Sequence, residues 1–424
     1  MQRFVFILLL TVFIIPSKAG ADEIIKKGQI LSLEQCTEIA LKNHPDMIAA
    51  VNTVGINQSR IGRAKANYYP EIGVSSGYSR YSPASGTTKQ SFDEYTGSVT
   101  LKQNIYDFGK TATQVDIRRL NLNSSRYDLK NTSEQIIFNV RQAYYGVLKA
   151  RRNSDVAAET VKQFQQHLEQ AKGFYAVGTR PKYDVTKAEV DLGNSKLKLL
   201  ISENALRTAK ADLNNAMGIP EAPEYTIEDN LVFRKYDINF KEALQRAYKQ
   251  RPDLRSISYR KKASEESVGL AKKDYYPVLS GNADYSWSGE RFPLEHGWSA
   301  GVTLSFPVFS GFSTKYQVEE SRRNLRVLEA NEESLKQGIF LEVQKSYLDL
   351  KEAEERIPVA ELTVKQAKEN LDIANGRYRA GVGNPIEVTD AEVALTNAKT
   401  SYIEALYDYR VAEASLVKAM GGDK

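Results

Sequence analysis

The residues able to do chemistry are few and scattered. His44, His167 and His296 are the three histidines, and none stands at metal-ligand spacing from another. Cys36 is the single cysteine, so the chain can form no internal disulfide, and a small semi-buried helix residue is its expected role. Neighbouring carboxylates such as Glu332-Glu333 and Glu354-Glu355 sit in highly charged helical stretches, where a solvated face is the expected arrangement. No phosphate-cradling loop or nucleophile elbow occurs. What remains are two helix starts. Glu387 and Asp390 stand three residues apart, which puts both carboxylates on one helix face. Asn384 suits the N-cap of that helix, Pro385 its first position and Glu387 its third. Asp184 is placed to complement the dipole of an earlier helix. Carboxylates so placed attract cations or cap helices. They do not make a reaction centre, and the expectation is a protein that is not an enzyme and needs no cofactor or metal.

The elements that position these residues follow from periodicity. Val388, Ala391, Leu395, Ala398, Tyr402, Ala405, Tyr409, Ala412, Leu416 and Ala419 alternate at spacings of three and four, a heptad seam. The same spacing occurs 203 positions earlier, from Val185, Ala188 and Leu192 through Ser195, Leu199, Ser202, Leu206, Ala209 and Leu213 to Ala216. Each seam follows a tip, Val177-Gly178-Thr179-Arg180-Pro181 or Ala380-Gly381-Val382-Gly383-Asn384, and each tip follows a long helical run. The first run, about 110–175, keeps the heptad phase through Ile136, Val140, Ala143, Val147 and on to Ala171, and at about 1.5 Å per residue reaches on the order of 100 Å. The chain is therefore a duplication whose unit contains a long helical hairpin.

Each unit opens with a shorter helix. In the first, 33–67 is expected as two pieces broken at His44-Pro45-Asp46, with Ser32 as N-cap, and it ends at Tyr68-Tyr69-Pro70. The period then changes to two. Ile72, Val74 and Tyr78 alternate with Glu71, Gly73 and Gly77; beyond a polar loop at 82–91, Tyr95, Val99, Leu101 and Ile105 alternate with Ser98, Thr100, Lys102 and Asn104. The second copy repeats this with Leu279, Ala283, Tyr285 and Trp287, then Trp298, Ala300, Val302, Leu304 and Phe306. Segment 288–296 is expected as its exposed loop. The boundaries are then a leader at 1–21, a first repeat at 22–220 (strands about 68–106, hairpin about 108–217), a linker at 221–237 and a second repeat at 238–424 (strands about 275–309, hairpin about 312–420). The fold class is mainly α with a small β part.

Composition narrows the setting. Of 424 residues, 26% are charged, and mean hydropathy is −0.45. Outside the N-terminus no run of about 18 apolar residues exists to make a membrane helix. The net charge of +5 is too mild, and its basic residues too dispersed, for a nucleic-acid partner. The start reads as a secretory signal: Arg3, an apolar core over 5–15, then Ala19-Gly20-Ala21. One apolar and one polar face per strand suits a membrane β-barrel, and aromatics gather at both ends of the strands: Tyr68, Tyr69, Tyr106, Phe108, Tyr275, Tyr276, Phe309 and Phe312 on the helix side, Tyr95, Tyr285, Trp287 and Trp298 toward the loops. Four strands cannot close a barrel, so several chains would have to share one.

Taken together these features resemble the TolC family of outer membrane efflux proteins, over essentially the whole mature chain. The resemblance is carried by Pro45-Asp46 and Pro252-Asp253, Tyr68-Tyr69-Pro70 and Tyr275-Tyr276-Pro277, Tyr106-Asp107-Phe108-Gly109 and Phe309-Ser310-Gly311-Phe312, and the two tips with Asp184-Val185 and Glu387-Val388. It implies a homotrimer, with a shared twelve-stranded barrel in outer-membrane lipid and a twelve-helix barrel in the periplasm. Ala391, Ala398, Ala405 and Ala412 fit that helical barrel, since small residues let helices approach closely. It implies as partners a periplasmic adaptor and an inner-membrane transporter of RND, ABC or MFS type. By position it makes Glu387, Asp390 and Asp184 the aperture carboxylates, and Gly178, Thr179, Gly381 and Val382 the adaptor-docking tips. Arg180 becomes a gate latch onto a tip carboxylate of a neighbouring hairpin; the family's frequent basic residue in the second tip is Gly383 here. The expected function is the exit duct for small molecules. Type I protein secretion and a poreless periplasmic coiled-coil scaffold are the alternatives, and scarce His and Met give metal export no support.

Overall fold

The structure, a computed structural model, describes residues 25–82 and 91–422. The leader at 1–21 and most of the 82–91 loop lie outside the described residues. The first repeat runs β1 (Ile30–Leu31), α1 (Leu33–Asn43), α2 (Pro45–Lys65), β2 (Glu71–Tyr81), β3 (Phe92–Tyr106), α3 (Lys110–Ala176) and α4 (Lys182–Ala216). The second runs β4 (Thr226–Ile227), α5 (Phe240–Gln250), α6 (Pro252–Lys273), β5 (Val278–Gly289), β6 (Glu295–Ser305), α7 (Ser313–Arg379) and α8 (Pro385–Ala419).

Local chemistry sets the helix boundaries. Ser32 and Gln35 form a reciprocal capping box on α1. The His44 Nδ1 accepts from the Asp46 amide at 3.2 Å and starts α2, with Pro45 in its first turn. Asn239 caps α5 by accepting from the Glu242 amide at 2.8 Å. Both long helices begin after a pair of left-handed residues, Phe108 and Gly109 before α3, Gly311 and Phe312 before α7. The chain therefore turns from strand to helix in the same way in both copies.

The strands form one antiparallel sheet in the order β2-β3-β5-β6. Its register keeps the two faces chemically separate across all four strands. One row reads Val74, Val99, Tyr285, Trp298 and the next Ile72, Leu101, Ala283, Ala300; on the other face Ser75, Ser98, Ser286 and Gly297 align, as do Glu71, Lys102, Asn282 and Gly301. The apolar face is uncovered, with Val74 78% and Trp298 77% exposed. The hairpin β5–β6 is longer than its sequence suggests. Trp287 pairs with His296 and Ser288 with Glu295, so only 290–294 connects the strands, and the expected loop at 288–296 is corrected to that extent. Period-two alternation continues into polar residues, which composition alone reads as loop.

Below the sheet α2, α3, α6 and α7 pack side by side. Farther down the hairpin helices replace them, in the order α4, α3, α8, α7. α3 and α7 are each 67 residues, about 100 Å, and run through both levels. Between the levels, α1, α5 and the small parallel pair β1–β4 pack as a second layer on α3 and α7. The β1–β4 pairing links the linker to the start of the chain. Tyr144 of α3, fully buried, donates to the Glu228 carbonyl at 2.7 Å and ties the pair to the long helix. The largest hydrophobic core sits here, around Leu31, Tyr144, Leu148, Leu231, Leu350 and Tyr409.

This waist depends on two equivalent glycines. Gly218 ends the first hairpin at φ +72 and Gly421 the second at φ +101. A Cβ on Gly218 would lie 2.7 Å from the His44 backbone, and one on Gly421 2.8 Å from that of Arg251, where the paired short helices join. Gly218→Ala is expected to cost about 2 kcal/mol or more through left-handed strain and the backbone clash. Gly178→Ala, equally left-handed but with open space around it, carries strain alone. Thermal unfolding followed by circular dichroism should show the larger loss for Gly218→Ala.

Candidate functional site at the hairpin tips

The two tips lie side by side at the far end of the molecule from the sheet. Arg180 in the first reaches across to the second. Its Nη2 donates to the Gly383 carbonyl at 2.7 Å and the Gly381 carbonyl at 3.5 Å, and its guanidinium lies 5.5 Å from the Tyr378 ring centroid. The expected partner was a carboxylate, and the structure supplies backbone oxygens instead. Gly383 serves by being small as well, since its α-carbon lies against the Arg377–Tyr378 backbone and a Cβ there would come within 2.7 Å of the Tyr378 nitrogen. That packing explains how a glycine occupies the second tip and still takes part in a link between tips.

The carboxylates divide into two kinds. Glu387 and Asp390 are exposed on the first turns of α8. Asn384 caps that helix by accepting from the Ile386 amide at 3.0 Å, while Glu387 pairs with Arg377 of α7 at 3.3 Å. Asp184 differs from its expected place at an aperture. It is buried, and its Oδ2 has no hydrogen-bond partner. Of the docking candidates, Gly178 and Gly381 make the left-handed turns, the Thr179 Oγ1 donates to the Phe174 carbonyl at 2.9 Å, and Val382 is 71% exposed.

Just above the tips lies a polar layer that the sequence reading did not find. His167 of α3, Asp184, Lys187 and Asp191 of α4, Tyr378 of α7, and Thr389 and Glu392 of α8 converge where the two hairpins pack. Lys187 pairs with Asp191 at 3.0 Å, and the Thr389 Oγ1 donates to the Asp191 Oδ2 at 3.2 Å. The His167 ring lies 5.2 Å from that of Tyr378. Glu392 is 3% exposed with its Oε2 unpartnered. Burial, with Asp191 close by, pushes the Glu392 carboxyl from 4.5 up to about 7. Burial also lowers His167, against the opposing pull of Asp191. One signal in the sequence pointed here: Glu392 stands four residues after Val388 and three before Leu395, on the flank of the seam.

An elongated protomer with an uncovered apolar sheet face, a helical shaft and a tip bearing turns and carboxylates is the architecture of a transport duct segment. The comparisons agree. The outer membrane efflux protein model matches residues 37–219 and 243–422, the two copies of the duplication, and the chain belongs to that family. It is 22% identical to the outer membrane protein TolC of Escherichia coli, over 93% of this chain and 83% of that one. It is likewise 22% identical to the toluene efflux pump outer membrane protein TtgC of Pseudomonas putida, over 92% and 83%. The crystal structure of the Campylobacter jejuni CmeC outer membrane channel superposes with a TM-score of 0.80 at 18% identity, over 92% of this chain and 85% of that one. The protein is thus an outer-membrane exit duct whose helices extend into the periplasm, in a family of transport proteins rather than enzymes.

The raised Glu392 carboxyl has a definite sign. It binds its proton more tightly folded than unfolded, so its contribution falls as pH rises from about 4.5 to about 7 and is level above that. His167, lowered on folding, contributes in the opposite direction and is common to wild type and variant. Glu392→Gln should therefore melt higher relative to wild type at pH 7.5 than at pH 5. Thermal unfolding at the two pH values measures the difference, and an equal gap at both would exclude the burial of an ionisable carboxyl there.

Proposed function

We propose that three copies close head to tail into one pore that carries small molecules outward from a periplasmic adaptor and an inner-membrane transporter. The observation carrying this is that both edges of the protomer are unfinished at every level. Among the described residues the outer edges of β2 and β6 have no strand partner. On the edge helices, Val190, Leu197 and Ile201 of α4 form one exposed apolar stripe, and Leu348, Val359, Leu362 and Ile373 of α7 form another. Two different edges that complete one another generate a ring when the rotation closes. Three chains supply twelve strands, with the uncovered apolar face outward to lipid and the Ser, Asn and Lys rows inward. The small-molecule cargo is supported by the efflux named for the family and by the toluene efflux pump among the relatives.

In this assembly Glu387 and Asp390 repeat by threefold symmetry as carboxylate rings at the periplasmic mouth. Glu387 is partly neutralised by Arg377, which leaves Asp390 as the stronger ring. Arg180 is the latch, holding one tip against the other through the Gly383 carbonyl. Gly178, Thr179, Gly381 and Val382 face the adaptor.

Conductance of the purified mature protein in a planar bilayer tests this reading. Small, cation-selective steps are expected. Asp390→Ala should lower cation selectivity with little change in stability, and unchanged selectivity would remove the ring. In a separate measurement, Arg180→Ala should raise resting conductance several-fold; equal conductance would mean that the link between tips bears no gating load.

A further inference from the structure

A basic depression of about 420 Å³ lies between the end of α6 and the start of α7, lined by Lys272, Lys315, Arg322, Arg323 and Arg326 beside Tyr275 and Val318. The one acid on its rim, Glu319, pairs with Arg323 at 3.4 Å. All five cations are exposed. We propose that this depression is a docking surface for the phosphate headgroups of anionic phospholipids in the periplasmic leaflet of the outer membrane. The proposal rests on the duct reading above, which puts the sheet in that membrane.

Three observations support it. The first is depth. The depression begins at Lys315, two residues into α7 and ten past the end of β6, with Tyr275 in its lining and next to the exposed rings of Tyr276, Phe309 and Phe312, where apolar surface gives way to polar shaft. Side chains on a helix tilt toward its N-terminus. In α7, which runs away from the sheet, that tilt aims the arginines back at the membrane. The second is the side of the molecule. Arg322 stands eighteen residues before Phe340, five helical turns, and so shares its face. Phe340 lies under α5, its ring 5.8 Å from that of Phe240. The second layer cannot occupy the lumen of a duct without blocking it, so this face looks outward. The third is an internal control. At the equivalent positions 203 residues earlier, Lys315, Arg322, Arg323 and Arg326 become Ala112, Arg119, Leu120 and Asn123, and Glu319 becomes Asp116. The apolar floor is kept, Val115 for Val318, both buried. The first copy keeps two of the five cations, Arg119 for Arg322 and, at the offset of 207 that relates Tyr68-Tyr69-Pro70 to Tyr275-Tyr276-Pro277, Lys65 for Lys272; the second copy adds three more over the same apolar floor.

The test is thermal unfolding of the full mature protein in neutral detergent with added phosphatidylglycerol, phosphatidylcholine or inorganic phosphate. Phosphatidylglycerol should raise the melting temperature, and the other two should not. In the variant K315Q/R322Q/R323Q/R326Q its apparent affinity should fall about five-fold per charge removed; R119Q, the first-copy control, should behave as wild type. If the quadruple variant fails to fold, K272Q/K315Q gives the same comparison with two charges. No stabilisation by phosphatidylglycerol, an equal effect of inorganic phosphate, or an effect retained in the variants would each overturn the proposal. Bilayer conductance of the same preparations separates the two readings: normal conductance without the lipid effect tells against the docking surface alone, and absent conductance tells against the duct.

Discussion

The rest of the structure depends on the hydrogen-bonding edges of a four-stranded sheet. In hydrocarbon an unpaired backbone amide or carbonyl costs several kcal/mol, so the edges of β2 and β6 have to be paired by other copies of the chain. That requirement reaches down the shaft. Each strand continues into its own helix, β2 from α2, β3 into α3, β5 from α6 and β6 into α7. The number of helices around the shaft is therefore set by the number of strands around the barrel. Left-handed residue pairs at 108–109 and 311–312 make two of these four connections, so sheet and shaft are joined by short, defined turns rather than by slack.

The duplication makes the two hairpins equal in length and unequal in surroundings. α8 is packed between α3 and α7, whereas the extensive packing of α4 among the described residues is with α3. The seam alanines of α8 at 391, 398, 405 and 412 are all buried. Glu392 is buried and its counterpart Glu189 is exposed. The same sequence position is thus solvated in the first copy and buried in the second, where α8 lies between two helices. Packing there is closed by polar contacts as well as apolar ones, such as the Thr160–Thr396 hydroxyl pair at 3.0 Å and the Lys399–Glu159 ion pair at 2.6 Å.

Much of this was legible in the sequence, for a reason. Long helices and amphipathic strands repeat a single period over many residues, so the signal accumulates. Strand alternation, both hairpins and the break at Pro45 were visible in that way. The β1–β4 pair was not, because two residues cannot show a period. Thr226 and Ile227 lie in the stretch read as a linker, and nothing marked Ile30 and Leu31 as their partners. The tip link was half legible. Arg180 stood out, but its main partner is a backbone carbonyl, which every residue has and no sequence pattern marks. Asp184 stood with the aperture carboxylates through the family resemblance, and at a helix start its type fits the dipole whether it is exposed or buried. Its burial follows from α3, α4 and α7 meeting beside the tip, a tertiary fact. The polar layer around Glu392 was missed for a related reason, since a charged residue on the flank of a seam reads as the edge of the solvated face.

The equal length of α3 and α7, and of α4 and α8, bears on how such a duct can change over evolutionary time. An insertion in one long helix would push one tip past the other and shift every later side chain around the helix axis. Only an insertion that keeps the heptad phase preserves the seam, and it has to be matched in all four hairpin helices to keep the tips level. The span between membrane and tip can then vary only in steps of about 10 Å. The gap that the duct bridges is met by whole steps or by the partner beyond the tips, not by gradual adjustment of the shaft.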